Sequence, residues 1–238
     1  TDTRSLSAHA AYQKVADLAG TLKDREGILV YKKIDSLFRG NVLAEIDALL
    51  DVFGYEAAII VSSIPKNKRA VKNGYLIAPG SAWDGMNIVR TAFRHAAGRC
   101  RNITLDMIRQ GKEALRAYME SAKAEGARYL IMDAETEADI RKIAEAAYCM
   151  REKTLMAGAS GFIVPLFSQW EDAEEYGGED ACEKCKGTCI LYVIGTNNPT
   201  TMRQVEYLSG QEGVVSVRVR ACACMQGDEE EEIRRCIR

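Results

Sequence analysis

The sequence predicts an α/β fold: a three-layer N-terminal domain built on a parallel sheet, followed by part of a second α/β domain. Of its 238 residues, 47% are apolar, which is enough for one sizeable core or for one domain and part of another. Short apolar runs alternate with stretches of helical spacing, and this βαβ alternation is typical of a parallel sheet. The strand-like runs are residues 28–31, 57–61, 128–132, 190–194 and 214–219, and the helical stretches are residues 42–53, 137–149 and 200–208.

The first predicted strand and the first predicted helix flank a polar cluster. Residues 28–31 form a short apolar run that predicts a buried strand, and apolar residues recur at helical spacing from Val42 to Phe53, up to Gly54. The polar residues between them, at positions 32–41, therefore lie where a strand ends and a helix begins. Ligands of open α/β sheets bind at the carboxyl ends of strands, where helix N-termini add unpaired amides and partial positive charge. This position predicts a site for an anion.

Three later segments have clear local patterns. Thr136 and Asp139 have the spacing of a capping box, which predicts that a helix starts after Asp133. The acidic run at 228–232 precedes two arginines, a pattern typical of the first turn and the end of a single helix. Segment 62–80 carries two prolines, two glycines and four cations, so we expect a long functional loop that is too irregular for the core.

The composition changes before the C-terminal part of the chain. Residues 170–187 are rich in acidic residues and glycine, and we interpret them as a solvated linker at a domain boundary. The predicted domains are residues 1–170 and residues 189–238, joined by a linker at 171–188. Only two strands are predicted beyond the linker, which is too few for an independent sheet. We therefore expect the second domain, and with it the chain, to be incomplete.

The charge balance excludes two classes of partner. The chain has 32 Lys and Arg against 34 Asp and Glu, so its net charge of −2 gives no global field that favours nucleic acid or an anionic membrane. No apolar run approaches the roughly 20 residues of a membrane-spanning helix, and no signal peptide opens the chain. We expect a soluble cytoplasmic protein that binds neither nucleic acid nor membrane.

Cysteine and histidine give weaker signals. The chain has eight cysteines, of which five are clustered. A Cys-x-x-Cys pair completed by later thiols would make a metal-responsive regulatory element, whereas reduced thiols in a loop and a strand end are the simpler interpretation. We predict no metal site, and His9 and His95 lie in helical patterns that exclude a His-dependent nucleophile triad. The clustered cysteines are Cys182, Cys185, Cys189, Cys222 and Cys224.

Four polar clusters are predicted at strand ends, and together they suit a small polyhydroxy anion. Arginine can bind a carboxylate through two nitrogens, and a glycine turn before a helix can present backbone amides to an oxyanion. The clusters are Asp2, Arg4 and Ser5; Lys33, Asp35, Ser36, Arg39 and Asn41; Asn67 and Arg69 after Pro65; and Ser160 within the glycine turn 158–161.

Each of these clusters also has a purely structural interpretation. The first can be a surface chain end, the third a solvated loop, and the glycines of the fourth can serve close helix packing. Asp35 and Ser36 can form only an N-cap, but two neighbouring cations and Arg39 exceed what capping requires. We therefore favour a functional site at the second cluster.

The order of several motifs resembles one known family. Residues 1–6 are similar to its Thr-Asp-Ser-Arg-Ser-Leu, residues 32–41 to its Lys-Lys-Ile-Asp-Ser-Thr-Leu-Arg-Gly-Asn, and residues 65–69 to its Pro-Ala-Asn-Gly-Arg. Residues 158–161 resemble its Gly-Ser-Ala-Gly, and residues 195–204 resemble the Gly-Ser-x-Ser-Pro-x-Thr-x-x-Gln that opens its nucleotide domain. The family is that of the four-carbon acid sugar kinases, which phosphorylate threonate, erythronate and related acids with ATP.

The resemblance implies a two-domain kinase in which an N-terminal α/β domain binds the sugar acid and a C-terminal α/β domain binds ATP and Mg²⁺. Gly195, Thr196 and Asn198 would then lie near the nucleotide, and the four polar clusters would bind the acid. The family's opening Asp-Asp-Leu-Thr-Gly-Ala motif and the glycine-rich remainder of its nucleotide domain do not occur in this sequence.

Phosphoryl transfer assigns a role to four residues of the second cluster. We expect Asp35 to accept the proton of the attacking hydroxyl, Lys33 to offset charge on the transferred group, and Ser36 to orient a hydroxyl. Arg4 and Arg39 would hold the carboxylate of the acid. A non-catalytic sugar-acid binding module is the alternative function, and the sequence leaves a homodimer open.

Overall fold

The computed structural model describes residues 2–25, 28–169, 194–195, 199–220, 222 and 228–237. The chain divides into two compact units, Thr1–Gly178 and Glu179–Arg238. The described elements of the first unit are α1 (Ala8–Gly20), β1 (Tyr31–Lys33), α2 (Val42–Phe53), β2 (Ala57–Val61), β3 (Ala70–Lys72), β4 (Tyr75–Ile77), α3 (Ile88–Thr91), β5 (Cys100–Ile103), α4 (Leu105–Ile108), α5 (Lys112–Ala124), β6 (Tyr129–Met132), α6 (Glu137–Tyr148), β7 (Thr154–Gly158) and α7 (Ser160–Phe167), with 3₁₀ turns at Pro65–Asn67 and Arg94–Arg99. Those of the second unit are α8 (Pro199–Ser209) and α9 (Glu229–Ile237).

The first unit is built on a five-stranded parallel sheet with the strand order β1-β7-β2-β6-β5. Gly158 at the end of β7 lies opposite both Lys33 of β1 and Val61 of β2. The carboxyl ends of these three strands therefore meet at one edge of the sheet. The predicted α/β fold with a parallel sheet is confirmed.

Two separate hydrophobic clusters cover the two faces of the sheet. Successive residues of β2 alternate between them, with Ala58 and Ile60 in one cluster and Ile59 and Val61 in the other. The first cluster includes buried residues of α1 and α2, and the second includes buried residues of α5, α6 and α7. The sheet is thus the middle of three layers, as the sequence predicts.

The sequence explains where two of these helices begin or end. At the end of α2, Gly54 has a φ of +71° and its amide donates to the carbonyl of Leu50, which is the left-handed cap that glycine favours. At the start of α6, the Asp139 amide donates to Thr136 Oγ1 at 3.1 Å, and the Thr136 amide donates to the Asp139 carboxylate at 3.0 Å. The predicted capping box is therefore confirmed.

Two predicted strands are wrong in position or in kind. The first lies at Tyr31–Lys33 rather than at 28–31, because pairing with β7 begins only at Tyr31, and Ile28 before it is 41% exposed. Residues 214–219 form no strand. Val215 is 88% exposed, and within the described part of the second unit no neighbouring strand is present to complete a ladder.

Segment 62–80 contributes to the core, contrary to the prediction. It contains the antiparallel hairpin of β3 and β4, in which Val71 and Leu76 are completely buried. The hairpin turn is tied to the sheet by Asp133, whose buried carboxylate accepts from the amides of Asn73 at 2.6 Å and Gly74 at 3.1 Å. Burial raises the pKa of Asp133, although these two amides act in the opposite direction. A carboxylate that is distant in sequence thus fixes the hairpin turn, which the irregular local sequence does not predict.

The structure describes only part of the C-terminal region on which the later predictions depend. The helix predicted at 200–208 is confirmed as α8, and the acidic run followed by arginines forms α9. The linker at 171–188 and most of the strand at 190–194 lie outside the described residues. Over the described parts of the chain, no helix combines the length and the apolar character that crossing a membrane requires.

Replacement of Gly158 by Ala is expected to destabilise the first unit by about 1–3 kcal/mol. The added Cβ would lie 2.7 Å from the Tyr31 hydroxyl and 2.7 Å from the Val61 carbonyl oxygen, and the backbone oxygen cannot move without disturbing the sheet. Urea unfolding monitored by circular dichroism measures the change. Gly20→Ala is the control, because a Cβ there meets nothing within 4 Å. Equal unfolding midpoints for the Gly158 variant and the wild type would contradict this interpretation.

Candidate functional site

A polar cavity of about 350 Å³ lies where β1 ends. One side is formed by residues 2–4, and the other by the turn between β1 and α2. Its lining combines three cations and three carboxylates with a hydroxyl, a glycine and two apolar residues: Arg4, Lys33, Arg39, Asp2, Asp35, Glu45, Thr3, Gly40, Ile34 and Val42. This composition suits a small ligand that carries both a negative charge and hydroxyl groups.

Asp35 and Arg39 form the central ion pair of the cavity. Arg39 donates through Nε and Nη2 to the two carboxylate oxygens of Asp35, each at 2.8 Å. The amides of Leu37 and Arg39 also donate to Asp35 Oδ2, at 3.3 Å and 3.1 Å. Burial by itself raises the pKa of Asp35, but the hydrogen bonds and charge of Arg39 outweigh burial and hold the pKa at about 2. Asp35 is therefore a carboxylate at neutral pH.

An unusual backbone turn brings Arg39 back onto Asp35. Phe38 has a φ of +57° and Gly40 a φ of +92°, so the chain passes twice through the left-handed region within three residues. Phe38 is held there by burial and by an edge contact with the Phe93 ring, whose centroid is 6.1 Å away. A Cβ on Gly40 would lie 3.4 Å from the Cα and Cγ of Arg4. Glycine therefore permits both the turn and the close approach of the N-terminal segment.

The N-terminal segment crosses the cavity and is held by Asn41. The Asn41 side chain donates to the carbonyls of Thr3 at 2.8 Å and Leu6 at 2.9 Å. This arrangement places the guanidinium of Arg4 3.7 Å from the Asp35 carboxylate, with 62% of the Arg4 side chain exposed. Asn41 thus supports the site by positioning the backbone of its other wall, and Arg4 is accessible to a ligand.

Lys33 and Ser36 have different positions relative to the cavity. Lys33 lines the cavity, and its ammonium donates to the Ile34 carbonyl at 2.8 Å. Ser36 is buried behind the lining, where its hydroxyl accepts from Arg69 at 2.5 Å. Arg69 therefore ties the 3₁₀ turn at Pro65–Asn67 to the turn that carries Asp35.

The remaining predicted site residues do not line the cavity. Ser5, Asn67 and Ser160 are exposed outside its lining. The turn 158–161 packs tightly, since a Cβ on Gly161 would lie 2.7 Å from the Ser63 carbonyl oxygen. In the second unit, Gly195 is exposed, while Thr196 and Asn198 lie outside the described residues.

Sequence reasoning missed five residues of the cavity lining: Thr3, Ile34, Gly40, Val42 and Glu45. Glu45 lines the cavity, accepts from the Thr3 hydroxyl at 2.5 Å, and pairs with the Lys32 ammonium at 2.5 Å. Glu45 follows Val42 by three residues and precedes Leu49 by four, so it lies on the buried stripe of α2. An acidic residue on an apolar stripe was the available signal, because a buried carboxylate requires a partner.

The cysteine interpretation remains a prediction. Four of the clustered cysteines, Cys182, Cys185, Cys189 and Cys224, lie outside the described residues, and Cys222 is exposed with a free thiol. Within the part of the chain that is described, no group of three or more His, Cys, Asp and Glu side chains could hold a metal ion. His9 and His95 are both exposed, and neither lines the cavity.

Comparison with known proteins gives a family match for most of the first unit. Residues 1–166 match the family described as the sugar-binding N-terminal domain. The D-erythronate kinase of Heliobacterium modesticaldum is 27% identical over 223 residues, which cover 87% of this chain and 48% of that protein. The 3-oxo-tetronate kinase of Escherichia coli is 30% identical over 205 residues, 81% of this chain and 52% of that protein. The chain spans about half the length of these curated relatives.

Solved structures share the fold. A Haemophilus influenzae protein has a TM-score of 0.62 at 24% identity, covering 70% of this chain and 44% of that protein. A domain from Bordetella bronchiseptica, solved as a domain-swapped dimer with bound citrate, has a TM-score of 0.58 at 23% identity, covering 70% of this chain and 43% of that protein. These likenesses agree with the three-layer architecture of the first unit.

The low pKa of Asp35 predicts a contribution to stability that disappears in acid. Its folded-state pKa, about 2, lies below the ordinary value of 3.8, so the contribution is complete above about pH 4 and is lost as the pH falls through 2. Allowing for the exposure of Arg39, we expect the Asp35 ion pair to lose about 1 kcal/mol between pH 6 and pH 3. Asp35→Asn should therefore show a shallower decline of unfolding free energy over this interval.

Urea unfolding at several pH values measures this decline. Asp24→Asn is the control, because Asp24 is exposed in the turn after α1 and away from the cavity. A decline in Asp35→Asn as steep as that of the control would show that the ion pair contributes nothing to acid sensitivity.

Proposed function

The chain belongs to the family of sugar-binding N-terminal domains found in four-carbon acid sugar kinases, and from that premise we propose that it binds a four-carbon sugar acid for phosphorylation by ATP. The acid is of the threonate, erythronate or 3-oxo-tetronate type, by analogy with the names of the relatives. The observation that carries the proposal is the small polar cavity in which Arg4, Lys33 and Arg39 surround Asp35.

The charges of the cavity favour an anion that brings hydroxyl groups. Lys32 neutralises Glu45, and Arg39 neutralises Asp35, so two of the three carboxylates are already paired. Arg4 is largely exposed, and the Lys33 ammonium donates to the backbone carbonyl of Ile34 and not to a carboxylate in the described structure, so both cations remain accessible. A sugar-acid carboxylate can bind these cations, while its hydroxyls can donate to carboxylate oxygens.

Binding of the acid involves an exchange of partners at Arg39. Two of its nitrogens, Nε and Nη2, donate to the two carboxylate oxygens of Asp35. We propose that the carboxylate of the acid takes one or both of these nitrogens, with Arg4 completing the clamp. The carboxylate of the acid then takes the place of Asp35 as the bidentate partner of Arg39, so Arg39 keeps the same number of charge-assisted hydrogen bonds.

The same exchange frees Asp35 to orient the attacking hydroxyl. Release from Arg39 removes the main cause that lowers the pKa of Asp35, so the freed carboxylate is a stronger base and accepts a hydrogen bond from a hydroxyl that lies beside it. Phosphoryl transfer passes through a loose transition state in which positioning matters more than early removal of the proton. Asp35 then takes the proton late, and Lys33 lies on the same wall to offset negative charge.

We propose that ATP and Mg²⁺ bind to the part of the chain from Gly195 onward. The described cavity does not fit a magnesium site, because Glu45 is engaged by Lys32 and Thr3 and no group of three or more His, Cys, Asp and Glu side chains in the described part of the chain could hold a metal ion. No chemical step is therefore assigned to a metal at this cavity. A cytoplasmic location would suit a protein that uses ATP.

A non-catalytic sugar-acid binding protein is the second candidate function. The described cavity supports recognition of an acid, whereas Thr196 and Asn198, the predicted nucleotide contacts, lie outside the described residues. Binding and phosphoryl transfer are therefore tested separately.

The first experiment is a thermal-shift screen of this chain against D-threonate, D-erythronate and 3-oxo-tetronate, followed by calorimetric titration of any acid that raises the midpoint. A ligand that binds only the folded state stabilises it by RT ln(1 + L/Kd), where L is the concentration of free ligand, and so raises its unfolding midpoint. Binding of at least one acid supports the proposed site, and transfer of phosphate from ATP to that acid separates a kinase from a binding protein. A folded chain that binds none of the acids would overturn the proposed function.

Arg39→Lys should weaken binding of the acid about tenfold or more, although the positive charge is kept. Lysine cannot form the two parallel hydrogen bonds that a guanidinium gives to a carboxylate. Arg101→Lys is the matched control, because Arg101 pairs with Glu125 at 2.8 Å in an exposed ion pair outside the cavity lining. Calorimetric titration compares the two variants, and equal affinities would remove Arg39 from the carboxylate clamp.

A further inference from the structure

A buried ionic cluster of Lys32, Glu45 and Thr3 lies at the wall of the cavity. Glu45 is 8% exposed and Thr3 is 4% exposed. The two oxygens of Glu45 have different partners: Oε1 accepts from the Thr3 hydroxyl, and Oε2 pairs with the Lys32 ammonium. The cluster therefore connects three separate parts of the fold, namely β1, α2 and the N-terminal segment.

Stability alone does not explain a cluster of this kind. Burying a carboxylate and an ammonium requires the loss of their hydration, which offsets most of their attraction, so well-packed apolar residues would stabilise the fold equally well. Burial raises the pKa of Glu45, but the Lys32 and Thr3 hydrogen bonds outweigh it and leave the pKa lowered. The carboxylate consequently stays charged and holds both partners in fixed directions, and this fixed geometry is what the cluster provides.

We propose that the Lys32–Glu45–Thr3 cluster is a positioning device that sets Arg4 over the cavity and thereby determines the affinity for the acid. Thr3 is the residue before Arg4, and its side chain is anchored by Glu45 while its carbonyl accepts from Asn41. With both groups of Thr3 fixed, the backbone of Arg4 is held against Gly40, where a Cβ would already be within 3.4 Å. The inference rests on the proposed function of the cavity.

Geometry distinguishes this role from direct binding. Asp2, one residue before Thr3, has a φ of +48°, so the chain turns sharply just before the anchored position. Among the described residues, the Arg4 side chain has no hydrogen bond and a single ion pair, with Asp35 at 3.7 Å. The direction of the exposed guanidinium therefore depends on this backbone turn. Loss of the Thr3 anchor should therefore release Arg4 without changing any charge in the cavity.

Thr3→Val is the test variant, because valine keeps the shape of threonine and removes only the hydroxyl that Glu45 binds. We expect Thr3→Val to weaken binding of the best acid by at least fivefold in calorimetric titration, and Thr3→Ser, which keeps the hydroxyl, to stay within twofold of the wild type. Thr154→Val is the matched control, since the Thr154 hydroxyl is equally buried, has no hydrogen-bond partner in the described structure, and lies at the opposite end of β7.

A double-mutant cycle with Arg4→Ala shows whether Thr3 acts through Arg4. If it does, adding Thr3→Val to Arg4→Ala should change the affinity by less than twofold, because the group being positioned is already absent. A fivefold loss in both backgrounds, or a folded Thr3→Val that binds as well as the wild type, would overturn the inference. Should Thr3→Val not fold, Glu45→Gln takes its place in the same cycle.

The wild-type titration separates failure of the inference from failure of the proposed function. A wild type that binds an acid together with a Thr3→Val variant that binds it equally refutes only the positioning role. A folded wild type that binds no acid refutes the proposed function, and the positioning role falls with it.

Discussion

The close meeting of three strand ends at Gly158 is the constraint on which the rest of the first unit depends. Gly158 lies opposite Lys33 and Val61, and its carbonyl accepts from the Ile34 amide at 2.9 Å. A side chain at this position would collide with the Tyr31 hydroxyl and with the backbone of β2. Glycine at position 158 therefore allows β1 to end beside β7. The chain continues from there into the polar turn that forms one side of the cavity.

The turn that follows combines charged groups with an uncommon backbone path. Its left-handed residues, Phe38 and Gly40, are held by aromatic packing on one side and by the N-terminal segment on the other. Strain of this kind persists where the surrounding structure fixes it, and it is concentrated at functional sites. The bidentate pair of Arg39 and Asp35 closes the turn. The same two side chains are those that we propose a sugar acid binds.

Charge pairing decides what the cavity can bind. Asp35 is neutralised by Arg39 of the same turn and Glu45 by Lys32 of β1, so the accessible Arg4 and Lys33 set the sign of the ligand. This agrees with the family match over residues 1–166 and with relatives named as kinases of four-carbon sugar acids. The match covers about half the length of those relatives, and recognition of the acid by this cavity and phosphoryl transfer are separate proposals with separate tests.

The sequence by itself determined the α/β class, the helix that follows the polar turn, the capping box of α6 and the presence of Asp35 and Arg39 in one polar cluster at the end of β1. These depend on local periodicity, capping and the density of charge within a few neighbouring residues. The start of β1, the hairpin within 62–80 and the Thr3–Glu45 contact were decided only by the tertiary structure. Each depends on a partner distant in sequence, such as Asp133 for the hairpin turn, and no local pattern specifies which distant residue will lie beside it.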